Sequence, residues 1–215
     1  EELAAVWQAA DSLGRPFGPM IRLLIATGAR REEVASLDWS EIDMDKRLWT
    51  LPAARAKNDV AHSIPLNDLA MATLKALSPK RRGLVFSTTG KTAPSGFSKA
   101  KARLDVEVLA RLRQRAANRK EKGIDKISLP PFRLHDLRRT LATGLQRLGV
   151  RFEVTEAILN HVSGARSGVA GVYQRHHWSD EKRLALDAWG QHVMALVSGT
   201  TGTSNVVALA DRRMA

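Results

Sequence analysis

Apolar residues recur along most of this chain at the three- and four-residue spacing of a helix face, and alternate as strand residues do over one short stretch. Leu3, Trp7, Ala10 and Leu13 predict a first helix, and after a break over Gly14 to Pro19 a more apolar second one runs from Met20 to Ala26. Thr27-Gly28 ends it, and a third, short helix from about Arg30 carries Val34 and Leu37 inward. Residues 41–66 then read as a small antiparallel sheet, with Leu48-Trp49-Thr50-Leu51 and His62-Ser63-Ile64-Pro65 as strands and Asn58-Asp59 as a turn.

The rest is mostly helical. Leu66 to Leu77 returns to helix, Leu84-Val85-Phe86 is a short apolar segment, and Ser87 to Pro94 is polar loop. A basic helix from Ser98 to about Lys122 has Leu104, Val108, Leu109 and Leu112 as its stripe. Arg111, Arg113, Arg115, Arg119, Lys120 and Lys122 lie outside that stripe, as a solvated face or as phosphate contacts. Pro130-Pro131 precedes a helix from about Leu134 whose core stripe is Leu137, Leu141, Leu145 and Leu148, with His135 and Arg138 pointing elsewhere. A final helix from about Asp180 carries Leu186, Trp189, Val193 and Leu196; Ser198 to Asn205 is flexible in composition and Val206 to Ala215 semi-apolar.

The 215 residues, 44% hydrophobic and 26% charged, suit one folded domain and are too apolar for a disordered chain. Lys and Arg outnumber Asp and Glu by 34 to 22, so the net charge of +12 favours a polyanion, nucleic acid or a membrane surface. No apolar run of about 18 residues exists to span a bilayer. The absence of cysteine excludes disulfides and Cys-ligated zinc and fits a reducing, cytoplasmic setting. The first residue is Glu1, not Met, and residues 1–13 read as an amphipathic helix and not a signal peptide, so a longer parent protein is expected.

Three patterns carry candidate chemistry. In Thr27-Gly28-Ala29-Arg30-Arg31-Glu32-Glu33 a glycine turn delivers Arg30 to a helix start, with Glu33 one turn on and on the same side. A guanidinium offers two phosphate oxygens a fixed fork, although a surface ion pair accounts for the same residues. His135-Asp136-Leu137-Arg138 sets an imidazole and a guanidinium three residues apart, suiting one phosphate between them, although such a spacing also arises by chance. Leu159-Asn160-His161 ends a short helix, where a histidine donates to a phosphate oxygen or merely closes the helix end. Twelve positions later stands Tyr173, the only tyrosine, whose plain reading is core packing. His176-His177 raise the possibility of a metal, but adjacent histidines ligate poorly together and no Asp/Glu-His helix motif accompanies them.

Taken in order, Arg30, Lys57, His135-x-x-Arg138, His161 and Tyr173 resemble the active-site set of the tyrosine recombinases, the phage integrase family, and above all integrases of prophages and genomic islands. The resemblance covers essentially the whole chain. It implies a mainly helical α+β catalytic domain with a small antiparallel sheet over residues 1–197, and a tail, 198–215, able to dock on a neighbouring subunit. Arg30 and Arg138 would clamp the nonbridging oxygens of the scissile phosphate, with His135 and His161 completing the cage and Glu33 supporting Arg30. Lys57, in Arg55-Ala56-Lys57-Asn58, would protonate the departing 5′ oxygen, with Arg55 as the neighbouring alternative.

Tyr173 would be the nucleophile. A phenol with a reference pKa of about 10 needs cations or a base to act at neutral pH, and the arginines, lysine and histidines supply them without metal or cofactor. The resemblance further implies site-specific recombination of a mobile element at double-stranded DNA attachment sites by a homotetramer at the bacterial nucleoid, aided by accessory DNA-bending or directionality factors. One departure is Ser163 to Gly168, a loop insertion that can hold Tyr173 away from the phosphate until DNA or a neighbouring subunit places it. Two rivals stand beside this reading: a type IB topoisomerase, disfavoured by the wording around Tyr173, and an inactive DNA-binding module, disfavoured by the intact residue set.

Overall fold

The computed structural model of the chain describes residues 1–77, 83–161 and 178–200. In chain order its helices and strands are α1 (Glu2–Leu13), α2 (Phe17–Thr27), α3 (Arg31–Ala35), β1 (Ile42–Asp43), β2 (Leu48–Leu51), β3 (His62–Pro65), α4 (Asp68–Lys75), α5 (Phe97–Asn118), α6 (Asp136–Arg147), α7 (Phe152–Ile158) and α8 (Ser179–Ser198). This is the mainly helical domain with a small antiparallel sheet that the sequence predicts. The core gathers round α2, whose Met20, Ile21, Leu23, Leu24, Ile25 and Ala26 are all buried beneath α1, α4, α6 and α8. The expected break before α2 is shorter than the sequence pattern implies. Pro19 lies inside the first turn of the helix, where its missing N–H removes no bond because the first N–H groups have no intrahelical acceptor.

The sheet has the order β1-β2-β3 and is antiparallel throughout, with Trp49 opposite both Ile42 and Ile64. Trp49 and Leu51 face the core while Thr50 faces out, the two-residue alternation of a half-buried strand. Asn58-Asp59 turns in the β2–β3 connection, and Asp59 adopts φ 54°.

Two helix approaches fix the frame. At Gly144 of α6 a Cβ would lie 2.1 Å from Trp189 Cζ3, so only glycine lets α8 lie against α6 there. Trp189 Nε1 in turn donates to Ile25 O of α2 at 2.8 Å. On the far side α5 packs on α1. Three of its outward basic residues are engaged with α1 and its N-cap: Arg111 reaches Ser12 Oγ at 3.1 Å, Arg115 reaches Gln8 Oε1 at 3.0 Å, and Arg119 pairs with Glu1 at 2.9 Å, while Lys120 and Lys122 are exposed. Among the described residues no helix is long and apolar enough to cross a membrane.

Candidate active site

Two helices end at the site, and their last carbonyls are what its cations hold. Gly28 closes α2 with φ 66°, and a Cβ there would press on Leu141 Cδ1 at 3.0 Å, so the glycine supplies both the left-handed turn and the close approach of α6. Across that approach Arg138 Nη1 donates to Gly28 O at 2.6 Å. After the turn, Arg30 is the N-cap of α3. Glu33 Oε2 accepts from its backbone N–H and Glu33 Oε1 from its Nη1, both at 2.8 Å, as the sequence spacing predicts. Glu33 is buried, so this is a rigid brace for a half-exposed guanidinium.

α7 ends in a Schellman turn. Asn160 adopts φ 48°, its N–H reaches Ala157 O at 3.4 Å, and the His161 N–H reaches Glu156 O at 3.1 Å. The three carbonyls that follow in this helix end are each taken by a residue from elsewhere. His62 Nε2 donates to Ile158 O at 3.0 Å, Arg138 Nη2 to Leu159 O, and Arg30 Nη2 to Asn160 O at 3.4 Å. Helix C-termini carry partial negative charge, so α2 and α7 together offset the repulsion between two guanidiniums brought side by side. The residual cost is visible: burial, then the charge of Arg30, lowers the Arg138 pKa to about 10, with Glu33 and Glu156 opposing.

The expected off-core position of Arg138 needs correction. It is 5% exposed, and its Nη1 and Nη2 face backbone carbonyls. His135, by contrast, is exposed at the N-cap of α6, in a turn closed by Asp136, whose Oδ2 accepts from the Arg133 N–H at 2.7 Å. Burial first, and then the charges of Arg138 and Arg139, lower the His135 pKa below the ordinary imidazole value, which favours its neutral form, with Asp136 opposing. His161 is exposed, with Nδ1 at 3.0 Å from Glu156 Oε1.

The β2–β3 connection supplies the lysine. Arg55 is committed to structure: it pairs with Glu41 and donates from Nη2 to Glu33 O at 2.8 Å and to Ser36 Oγ at 2.9 Å. Lys57, two residues on, is exposed and has no hydrogen bond or ion pair among the described residues. Asn58 Nδ2 donates to Asn160 Oδ1 at 3.0 Å and receives Asn160 Nδ2 on its own Oδ1 at 3.1 Å.

A cleft of about 740 Å³ brings Arg30, Lys57 and His135 to one surface, together with Arg55, Lys101 and the rings of Phe97 and Phe132. Arg138 and His161 do not line it; Arg138 stands behind Arg30, bonded to the same helix end. Such a set can bind a phosphate diester, withdraw charge from its oxygens and move protons at neutral pH. Tyr173, the expected insertion at Ser163 to Gly168, and His176-His177 lie outside the described residues. Among the described residues no cluster of three or more His, Asp or Glu is arranged to hold a metal ion. Sequence reasoning missed His62, Asn58 and the side chain of Asn160; the one local signal was an asparagine at a helix end, where glycine is the default.

Comparison with known proteins gives a consistent picture. The model of the phage integrase family matches residues 2–176. Prophage integrase IntA of Escherichia coli (strain K12) is 29% identical over 176 residues, 82% of this chain and 38% of IntA, so the chain spans well under half of that relative. Among solved structures, XerA recombinase superposes with a TM-score of 0.54 at 19% identity over 89% of this chain and 61% of its own. The Tn1549 transposon integrase, solved in complex with circular intermediate DNA, gives 0.51 at 16% identity over 84% and 64%.

Proposed function

This chain belongs to the phage integrase family, and from that premise we propose that it is the catalytic domain of a tyrosine recombinase. It cuts and rejoins double-stranded DNA at attachment sites of a mobile element through a 3′-phosphotyrosine at Tyr173. The observation that carries this reading is the shared cleft of Arg30, Lys57 and His135, with Arg138 bonded behind Arg30 to the end of α7.

Each step falls to a named side chain. Arg30 and Arg138 draw charge from the nonbridging oxygens of the scissile phosphate, and His161 donates to one of them. The Tyr173 phenol oxygen forms the new bond to phosphorus while neutral His135 takes the phenol proton. The P–O5′ bond breaks, its electron pair stays on the 5′ oxygen, and Lys57 Nζ supplies the proton. That Arg55 is spent on Glu41, Glu33 O and Ser36 favours Lys57 as the acid. A 5′ hydroxyl then attacks the phosphotyrosine in the reverse sense, so the ester energy is kept and no nucleotide cofactor is consumed.

Four copies on two duplexes, accessory DNA-bending factors and work at the nucleoid complete the proposal, with residues 1–197 as the catalytic unit and 198–215 as a tail that docks on a neighbour. The test is a suicide duplex nicked within the sequence bordering the gene that encodes the chain. A protein–DNA adduct that is lost in Tyr173→Phe is expected on a denaturing gel. Binding without adduct would favour a non-catalytic DNA-binding module, and relaxation of supercoils by a monomer would favour topoisomerase chemistry.

A further inference from the structure

The side-chain contact that joins the lysine-bearing connection to the end of α7, among the described residues, is a matched pair of amides. Asn58 and Asn160 are 102 positions apart, and each donates to the other's carbonyl oxygen, at 3.0 and 3.1 Å. On one side the pair is next to Lys57, an exposed cation that has no partner of its own among the described residues. On the other side it belongs to the residue whose backbone carbonyl receives Arg30 Nη2 at 3.4 Å and which precedes His161.

The residue type is informative at both ends. Position 160 needs a left-handed backbone, φ 48°, which glycine would meet with least strain; asparagine, a residue 8% exposed here, meets it and adds an amide. An amide pair is also uncharged. A carboxylate at position 160, next to the carbonyl that receives Arg30, would compete with a phosphate for its guanidinium, whereas amides satisfy each other without drawing on the cations.

We infer that Asn58 and Asn160 are positioning residues, which hold the β2–β3 connection against the end of α7 so that Lys57 reaches the 5′ oxygen of the phosphate gripped by Arg30. The inference rests on the recombinase reading above. The pair acts through Lys57: its loss slows proton delivery to the leaving oxygen while leaving the guanidinium clamp intact.

The experiment uses two suicide duplexes of the same sequence, one with the natural 5′ bridging oxygen and one with sulfur in its place. A sulfur leaving group departs as thiolate, with a conjugate-acid pKa near the 8.5 or so of a thiol, and so needs no acid. Asn58→Ala and Asn160→Gly are compared with the natural chain, glycine being chosen so that the backbone turn is kept. Each variant is expected to form the adduct at least tenfold more slowly on the oxygen duplex and within threefold of the natural rate on the sulfur duplex, the pattern also expected of Lys57→Ala. The double variant is expected to be no slower than either single one, because both remove one shared contact. Thermal unfolding is followed in parallel, and the near-isosteric, uncharged Asn58→Leu, which can neither donate to nor accept from the Asn160 amide, stands in for any variant that fails to fold. Equal slowing on both duplexes, or no slowing on either, overturns the positioning role; a natural chain that forms no adduct on either duplex overturns the recombinase reading with it.

Discussion

Acidification from pH 7.5 to 5.0 is expected to destabilise the fold by about 2 kcal/mol through His62 alone. This imidazole is 7% exposed and donates from Nε2 to Ile158 O at 3.0 Å. Burial, reinforced by the charge of Lys182 and opposed by the Ile158 hydrogen bond and Glu33, lowers its pKa to about 4 from an ordinary 6.5. The unfolded chain therefore binds a proton between pH 6.5 and 4 that the folded chain refuses. The contribution of His62 is whole above pH 6.5 and is lost as the pH falls toward 4. With those two values the loss at pH 5.0 is about 2 kcal/mol, or roughly 4–8 °C in Tm for a chain of this size. Carboxylates and the other histidines titrate in the same range, so the measurement is a difference. His62→Gln keeps an N–H for Ile158 O and cannot titrate. Denaturant midpoints at both pH values, for the natural chain and the variant, should show the extra acid sensitivity only in the natural chain. Parallel acid dependence in the two would refute the assignment of a neutral, buried His62 as the strap on α7.

Other perturbations separate structural from chemical roles. Arg138→Ala should cost about 1–3 kcal/mol for each of the two carbonyls it leaves without a donor, read from urea midpoints, besides abolishing adduct formation. Arg55→Ala should destabilise by about 1–3 kcal/mol by leaving the partly buried Glu41 with Trp49 Nε1 as its remaining donor and Glu33 O without one, whereas Lys57→Ala should leave stability within about 0.5 kcal/mol and still lose cleavage of the oxygen duplex. Gly144→Ala should lower stability by about 1–3 kcal/mol or more, since Trp189 is pinned by its bond to Ile25 O and cannot yield to the methyl group; calorimetry measures this.

What the chain's pattern made legible is what is local. The leucines of α6 recur on one face and are buried, and the Arg30–Glu33 spacing became a brace because i and i+3 meet on a helix start. Pro19 was misread as a break because a proline inside the first turn looks the same in sequence as one that ends a helix. The basic residues of α5 gave no sign that Arg111, Arg115 and Arg119 would be spent on α1, since their partners lie about a hundred positions away. Distance along the chain also hid the Asn58–Asn160 pair and the strap from His62, and it hid the burial of Arg138, whose acceptors are backbone atoms that no residue type announces.

The carbonyls at the ends of α2 and α7 carry a consequence for the order in which the protein is made. Gly28 O waits for Arg138, Ile25 O waits for Trp189, and Arg30 finds the carbonyl of Asn160 only after another 130 positions have been added. Synthesis runs from the amino end, so a nascent chain holds Arg30, braced only by Glu33, long before the end of α7 exists to receive it. A product cut short before α7 has no cage, and one cut short before α8 has a cage whose first helix is not sealed. In the recombinase reading proposed above, the full set of cations is therefore assembled only late in synthesis.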